Sequence, residues 1–230
     1  MRRSRKRLTA AVATLALAGG LSAGLASPAS AQDASGDATG LQATLDTLLL
    51  DLNVPPTPFV SAPPSSSDSI ANLNLDPLVN AVVLGVQSTV NGPAVNSAAS
   101  VVGVNVLPEF GVLSADAITS ECSANPDGVA ADAGLLNASA LGGSVNIPIN
   151  APPNTTVALP FVGSLTLNEQ TETDGGIVVR SVHLNVNVLN AGLVVADVIL
   201  SESACFPGDA AAAATATAAV ATGGTPNLTG

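Results

Sequence analysis

Between residue 70 and residue 206 several separate runs place aliphatic side chains at every second position, the spacing of strands with one buried face. The clearest run covers residues 177–189. Val178, Val182, Leu184, Val186 and Val188 are predicted on one face, with Ser181, His183, Asn185 and Asn187 on the other. Asp174-Gly175-Gly176 just before it is hairpin-turn chemistry. Val102, Val104 and Val106 form a second such face, and Val82, Leu84, Val86 and Val90 a third. Shorter strands are predicted around Leu73 and Leu75, Val157 and Leu159, and Leu165 and Leu167. Val145, Ile147 and Ile149 also alternate, and Pro148 confines them to an edge.

The segment from Leu41 to Val54 fits either a helix face or an alternating strand. Gly40, Pro55-Pro56 and the lack of any Lys or Arg favour the strand. Residues 32–40, small and polar, are expected to fray, and Pro55 to Ser69 is expected to be a loop. Asp76-Pro77 is predicted to start one short helical turn. The sum is an all-β chain: one antiparallel β-sandwich-like domain over residues 36–207.

Two flanks fall outside that pattern. Arg2, Arg3, Arg5, Lys6 and Arg7 precede an Ala/Leu-rich stretch broken by Gly19, Gly20 and Gly24, and Ala29-Ser30-Ala31 is a small-residue cleavage site. Residues 1–31 therefore read as a secretory signal helix cleaved after Ala31. Residues 208–230 are Ala/Thr/Gly low complexity, expected to be a disordered tail. The mature chain is expected to be secreted, with no transmembrane segment.

Export changes the charge. Of six Lys+Arg, five lie in residues 2–7, and all 17 Asp+Glu lie beyond residue 31, so the mature chain carries 1 − 17 = −16. Such a surface repels phosphate backbones and anionic lipid, which excludes nucleic acid and peripheral membrane binding. The chain has no Trp or Tyr and four Phe, so its core must be aliphatic, and sugar stacking on aromatic rings is disfavoured. Cys122 and Cys205 are the two cysteines, and an isolated pair in an exported protein is expected to be one disulfide.

An internal repeat supports that pairing. Val104-Asn105-Val106-Leu107, a turn, and Ala115-Asp116-Ala117-Ile118-Thr119-Ser120-Glu121 lead to Cys122. Val186-Asn187-Val188-Leu189, a turn, and Ala196-Asp197-Val198-Ile199-Leu200-Ser201-Glu202 lead to Cys205. Two equivalent hairpins, side by side or face to face, would bring the cysteines within bonding reach.

Candidate chemistry is sparse. His183 is the single histidine, so any Ser-His-Asp or Cys-His site would have to use it. No nucleophile-elbow motif accompanies it, and it is expected to be a solvated strand residue. Arg180 falls on the apolar register of its strand and is expected to pair with Glu169 or Glu172. The repeated acids Asp116/Glu121 and Asp197/Glu202 are five apart, which regular alternation would put on opposite faces, unsuited to a glycosidase pair. Asn125, Asp127, Gly128 and Asp132, or Glu172 with Asp174, offer oxygen ligands without a calcium-loop motif. Asn137, Asn154 and Asn227 begin Asn-x-Ser/Thr triplets, which matter only in a glycosylating compartment. No catalytic, metal-binding or cofactor-binding residue is assigned, and no cofactor is called for.

Leu113-Ser114-Ala115-Asp116 leading to Cys122, then Leu165-Thr166-Leu167-Asn168-Glu169-Gln170, whose Asn-Glu-Gln is expected to be a turn before a Gly-rich hairpin, and the strand into Cys205, resemble the "choice-of-anchor P" domain of secreted actinobacterial proteins. The resemblance spans about Val101 to Cys205. It implies an exported β-rich module of undefined biochemical role, held at the envelope by an anchor that differs between members. The last residues, Thr225 to Gly230, lack the apolar stretch and basic end of a sortase signal. A freely secreted or loosely wall-associated protein is therefore expected. The function expected is a non-enzymatic structural or adhesion module with an unidentified envelope or extracellular partner. The alternatives are a binding module for a divalent cation or basic envelope component, and a hydrolase using His183.

Overall fold

Alternating aliphatic residues become strands wherever a second sheet is available to cover them, and here two sheets cover each other. The computed structural model describes residues 32–46, 51–173, 175–188 and 194–209; the leader with Ala31, and the Ala-rich segment from residue 210, lie outside them. The described strands are β1 (Ser35–Asp46), β2 (Asp51–Ala62), β3 (Ser66–Leu75), β4 (Val79–Asn91), β5 (Ala94–Val106), β6 (Leu113–Asn125) and β7 (Gly128–Leu136). They continue with β8 (Ser139–Ala140), β9 (Val145–Asn146), β10 (Thr155–Leu159), β11 (Gly163–Thr173), β12 (Gly176–Val188) and β13 (Val194–Phe206). Sheet A runs β10-β11-β12-β13-β1-β2. Sheet B runs β3-β4-β5-β6-β8-β9, with β7 also paired to β6. Every pairing is antiparallel.

The core lies between the sheets. Leu84, Val101 and Ile118 of sheet B and Leu41, Leu184 and Leu200 of sheet A are fully buried in one cluster. Each such aliphatic side chain contributes about 1.5–3 kcal/mol of burial. A smaller cluster surrounds the Cys122–Cys205 disulfide, which joins β6 to β13 and so ties sheet B to sheet A. The repeated hairpins are thus face to face, one in each sheet.

Serines fill the space between the two clusters. Ser201 Oγ reaches Ala99 O at 2.9 Å and Ser120 Oγ at 3.1 Å. Ser120 and Ser203 share a 2.8 Å hydrogen bond, and Ser203 Oγ donates to Ser120 O at 3.2 Å. Ser181 donates to Thr119 O, and Ser88 donates to Gly36 O at 3.0 Å. Ser120 and Ser201 are equivalent residues of the repeat, and they touch across the sandwich.

Both sheets are crossed by a line at which each ladder skips one pair, or two between β4 and β5, and inward alternation slips by one residue. In sheet A the line passes Asn168 (φ 50°), Ser181, Ser201 (φ 60°) and Gly40. In sheet B it passes Asn72 (φ 57°), Val82, Gly103 (φ 62°) and Asp116. A left-handed residue inside a strand bends it and re-aims the side chains beyond, as a bulge does.

That slip corrects several expectations. Val102 and Val82 point outward, at 41% and 52% exposure, while Val104, Val106, Leu84 and Val86 point inward. On β12 the buried side chains are Ile177 and Val179 before the bend and Val182, Leu184 and Val186 after it. Ser181 is therefore buried, not on the His183 face, and Arg180 faces outward, not into the apolar register.

The Pro-rich segment is not a loop. Pro55, Pro56 and Pro58 lie in β2 and Ser66–Ser69 in β3, both edge strands, where a missing N–H costs no ladder bond. Asp76-Pro77 makes a tight turn closed by Leu78 N donating to Leu75 O at 2.7 Å, not a helical turn. Residues 36–39 are paired on both sides, Ser35 pairs with Phe206, and Ala34 and Ala38 are buried, so this segment does not fray. Within the alternating run Val145–Ile149 only Val145 and Asn146 pair, as β9 at the edge of sheet B; Ile147 is buried and Ile149 exposed.

Candidate functional site

The outer face of sheet A carries Arg180 and His183, the one arginine and the one histidine among the described residues. Glu169, Arg180 and Glu202 are direct cross-strand partners on β11, β12 and β13. Arg180 Nε contacts Glu202 Oε2 at 2.5 Å, and Arg180 Nη1 lies 3.6 Å from Glu169 Oε1. The other oxygen of Glu169 lies 2.8 Å from His183 Nδ1, and Asp197 Oδ2 lies 2.9 Å from His183 Nε2. The expected Arg180–Glu169 contact is present, and the second partner is Glu202; Glu172 is exposed on the surface.

Those contacts fix the state of the imidazole. A carboxylate accepts only, and a neutral imidazole has one N–H, so two carboxylate partners require both ring nitrogens to donate. Burial lowers the His183 pKa, but hydrogen bonds to Asp197 and Glu169, with their charges, outweigh it and hold the value above the ordinary 6.5. Burial likewise lowers that of Arg180, and Glu202 and then Glu169 raise it. Asp37 is raised by burial and by the charge of Glu202.

The signs give a pH prediction. Stability contributed by His183 is complete below pH 6.5 and is lost as pH rises through the elevated folded value. Asp37 acts in the same direction, since a carboxyl with a raised folded pKa favours the native state more as pH falls through that value. The melting temperature is expected to fall as pH is raised above 6.5. His183→Gln should flatten that profile, and Asp37→Asn should raise the melting temperature at pH 7. A profile that keeps its slope in His183→Gln removes the imidazolium account.

The slip of the strands also unites acids that regular alternation separates. Asp116 and Glu121 are both exposed on the outer face of sheet B, and Asp197 and Glu202 both reach cations on the outer face of sheet A. Asp116 accepts a hydrogen bond from Asn137 Nδ2 at 2.7 Å. Asn125 Oδ1 accepts from the backbone N–H of Asp127 and Gly128, so the oxygen closes the β6–β7 turn. Asp174 lies outside the described residues. Asn168, Glu169 and Gln170 lie within β11 and not in a turn; buried Asn168 donates to Ala151 O at 3.1 Å and accepts from Gln170 Nε2 at 2.8 Å.

The outer face of sheet B carries a second feature, missed by strand patterning. Cross-strand register aligns its outward residues in rows. Ser69, Gly85, Ser100, Thr119 and Gly134 form one row across β3 to β7. Val83, Val102 and Leu136, all exposed, stand in the row on one side, and Gln87, Ala98, Glu121 and Asp132 in the row on the other. Small residues lower the middle row into a trough. A Cβ on Gly134 would come within 2.8 Å of Thr119 Oγ1, so glycine there keeps the floor low. A shallow depression of about 610 Å³ runs along Ser69, Gly85, Ser100 and Thr119 of the middle row to Glu121, and a second of about 400 Å³ lies beyond it, between the row of Glu121 and Asp132 and that of Thr89 and Asn96. The sequence signal was a small or hydroxyl residue at matched outward positions of neighbouring strands, legible only once register is known.

No protein-family model matches the chain, and neither does any curated protein or solved structure.

Proposed function

We propose that this chain is an exported, non-enzymatic module of the cell envelope or its surroundings, serving structure or adhesion. The observation that carries the reading is the state of His183. With both ring nitrogens donating to Glu169 and Asp197, the imidazole has no lone pair to take a proton from a nucleophile. Its place is structural, at the centre of a charge network that spans three strands. Both cysteines are joined in the cross-sheet disulfide, which suits an oxidising compartment. Among the described residues no helix is long and apolar enough to cross a membrane. The leader pattern and the resemblance to the choice-of-anchor P domain point the same way.

Fractionation of producing cells, with mass spectrometry of the N-terminus and thiols, tests the reading. The chain is expected in culture fluid or loosely held on the wall, starting at Gln32, with its thiols oxidised. A chain confined to the cytoplasm with two free thiols overturns it. So does a hydrolytic activity on ester, peptide or glycoside substrates that disappears in His183→Gln while the fold persists.

A further inference from the structure

We propose that the trough across sheet B docks an extended, lysine- or arginine-bearing polypeptide segment of a partner protein. The inference rests on the reading above as a binding or adhesion module and names the chemistry of its partner.

Shape comes first. The trough crosses β3 to β7 at right angles to the strands, so four interstrand spacings make it about 19 Å long. An extended chain advances about 3.3 Å per residue, so about six residues fit. Its floor presents the Ser100 and Thr119 hydroxyls, which can hydrogen-bond a peptide backbone. Its two sides differ. Val83, Val102 and Leu136 offer exposed aliphatic surface, where the sheet could have carried polar side chains at no packing cost. Alternate residues of an extended segment would face these valines, and the others would face Glu121 and Asp132.

Charge selects the occupant. Glu121 and Asp132 are direct cross-strand partners, and like charges placed opposite each other destabilise a sheet. A cationic side chain seated between them reverses that cost. No residue of this protein does so among those described: Arg180 is their one Lys or Arg, and it sits on the outer face of the opposite sheet. A second copy of the chain is disfavoured, because it brings another acidic face to this one at a mature charge of −16. A glycan is disfavoured because the depressions are lined by no aromatic ring. The valine side favours a polypeptide over a bare polyamine.

The test measures binding of a fluorescein-labelled Val-Lys-Val-Lys-Val-Lys-Val peptide to the purified, disulfide-intact chain by anisotropy. A Val-Glu peptide of the same length serves as its counterpart. Binding of the lysine peptide alone is expected. Glu121→Gln with Asp132→Asn should weaken it about tenfold, and Ser100→Gln, which fills the floor from an outward position, about as much. Asp127→Asn with Glu172→Gln removes two acids elsewhere and should change affinity less than twofold. A cooperative melt at or above the wild-type temperature identifies each variant as folded, and the Glu121→Gln/Asp132→Asn pair should melt higher because the like-charge contact is gone. Absence of binding up to millimolar peptide overturns the inference, and so does equal weakening by the remote pair, which marks attraction to net charge alone. If the peptide fails while the chain still fractionates outside the cell, the docking surface is lost and the envelope reading stands. A cytoplasmic chain defeats the reading itself.

Discussion

Replacing both Cys122 and Cys205 with alanine is expected to lower the unfolding free energy by about 4 kcal/mol. The bond closes a loop with a sequence separation of 83, and its absence returns that loop's freedom to the unfolded chain. Its location adds to the effect. The surrounding cluster is small, built from Ala34, Val95, Ala124, Ala133, Ile177 and Val179, and has no leucine to hold the sheets together without the bond. Urea unfolding followed by circular dichroism should show the midpoint moved down by about 2 M. Wild type unfolded in a thiol reductant should converge on the double variant. A midpoint that stays within about 0.5 M would mean that the serine contacts alone secure this end of the sandwich.

The distribution of strength follows from the two kinds of filling between the sheets. Around Leu84, Ile118 and Leu184, burial is aliphatic and does not depend on direction. Around Ser120, Ser201 and Ser203, contacts are directional and must be satisfied together. The disulfide stands at the end where aliphatic volume is least.

Strand patterning made the all-β sandwich legible, because most buried positions are Val, Leu or Ile at period two. Residues 176–188 show it: the strand lies where the alternation puts it, and Leu165 and Leu167 fall in β11, which runs on through Asn168-Glu169-Gln170 to Thr173. The orientation of residues beyond each bend was not legible by the same rule. Alternation carried from Val182 back to Val178 puts Arg180 inside, and only the slip at Ser181 puts it beside Glu202. A signal was present in the aliphatic doublets Val82-Val83 and Val101-Val102, which a one-sided strand does not need. Proline misled in the opposite direction. Pro55, Pro56 and Pro58 exclude a central strand but are compatible with an edge, and composition does not tell which strands become edges. The site partners of His183 come from β11 and β13, so they required the sheet order as well as the strands.

The bend itself can be tested at Ser201, which like Ser181 lies on the slip in sheet A and reaches sheet B, and which alone of the two has a left-handed backbone. Ser201 is fully buried at φ 60°, and its hydroxyl touches both Ala99 O and Ser120 Oγ. Ser201→Val imposes three penalties together. A β-branched residue in the left-handed region costs about 1–2 kcal/mol. Buried partners that lose a hydrogen bond cost about 1–3 kcal/mol. The added methyl volume must also enter a space shaped for a hydroxyl. A loss of about 3–5 kcal/mol is expected, a large share of the roughly 5–15 kcal/mol by which domains are ordinarily stable, read as a lowered urea midpoint. Ser201→Gly separates the terms: it accepts φ 60° freely and surrenders only the hydrogen bonds, so a loss of about 1–2 kcal/mol is expected. The ordering valine worse than glycine is what the bend requires. If glycine proves the more damaging, backbone conformation at Ser201 is not what shapes sheet A, and the hydroxyl contacts carry the effect.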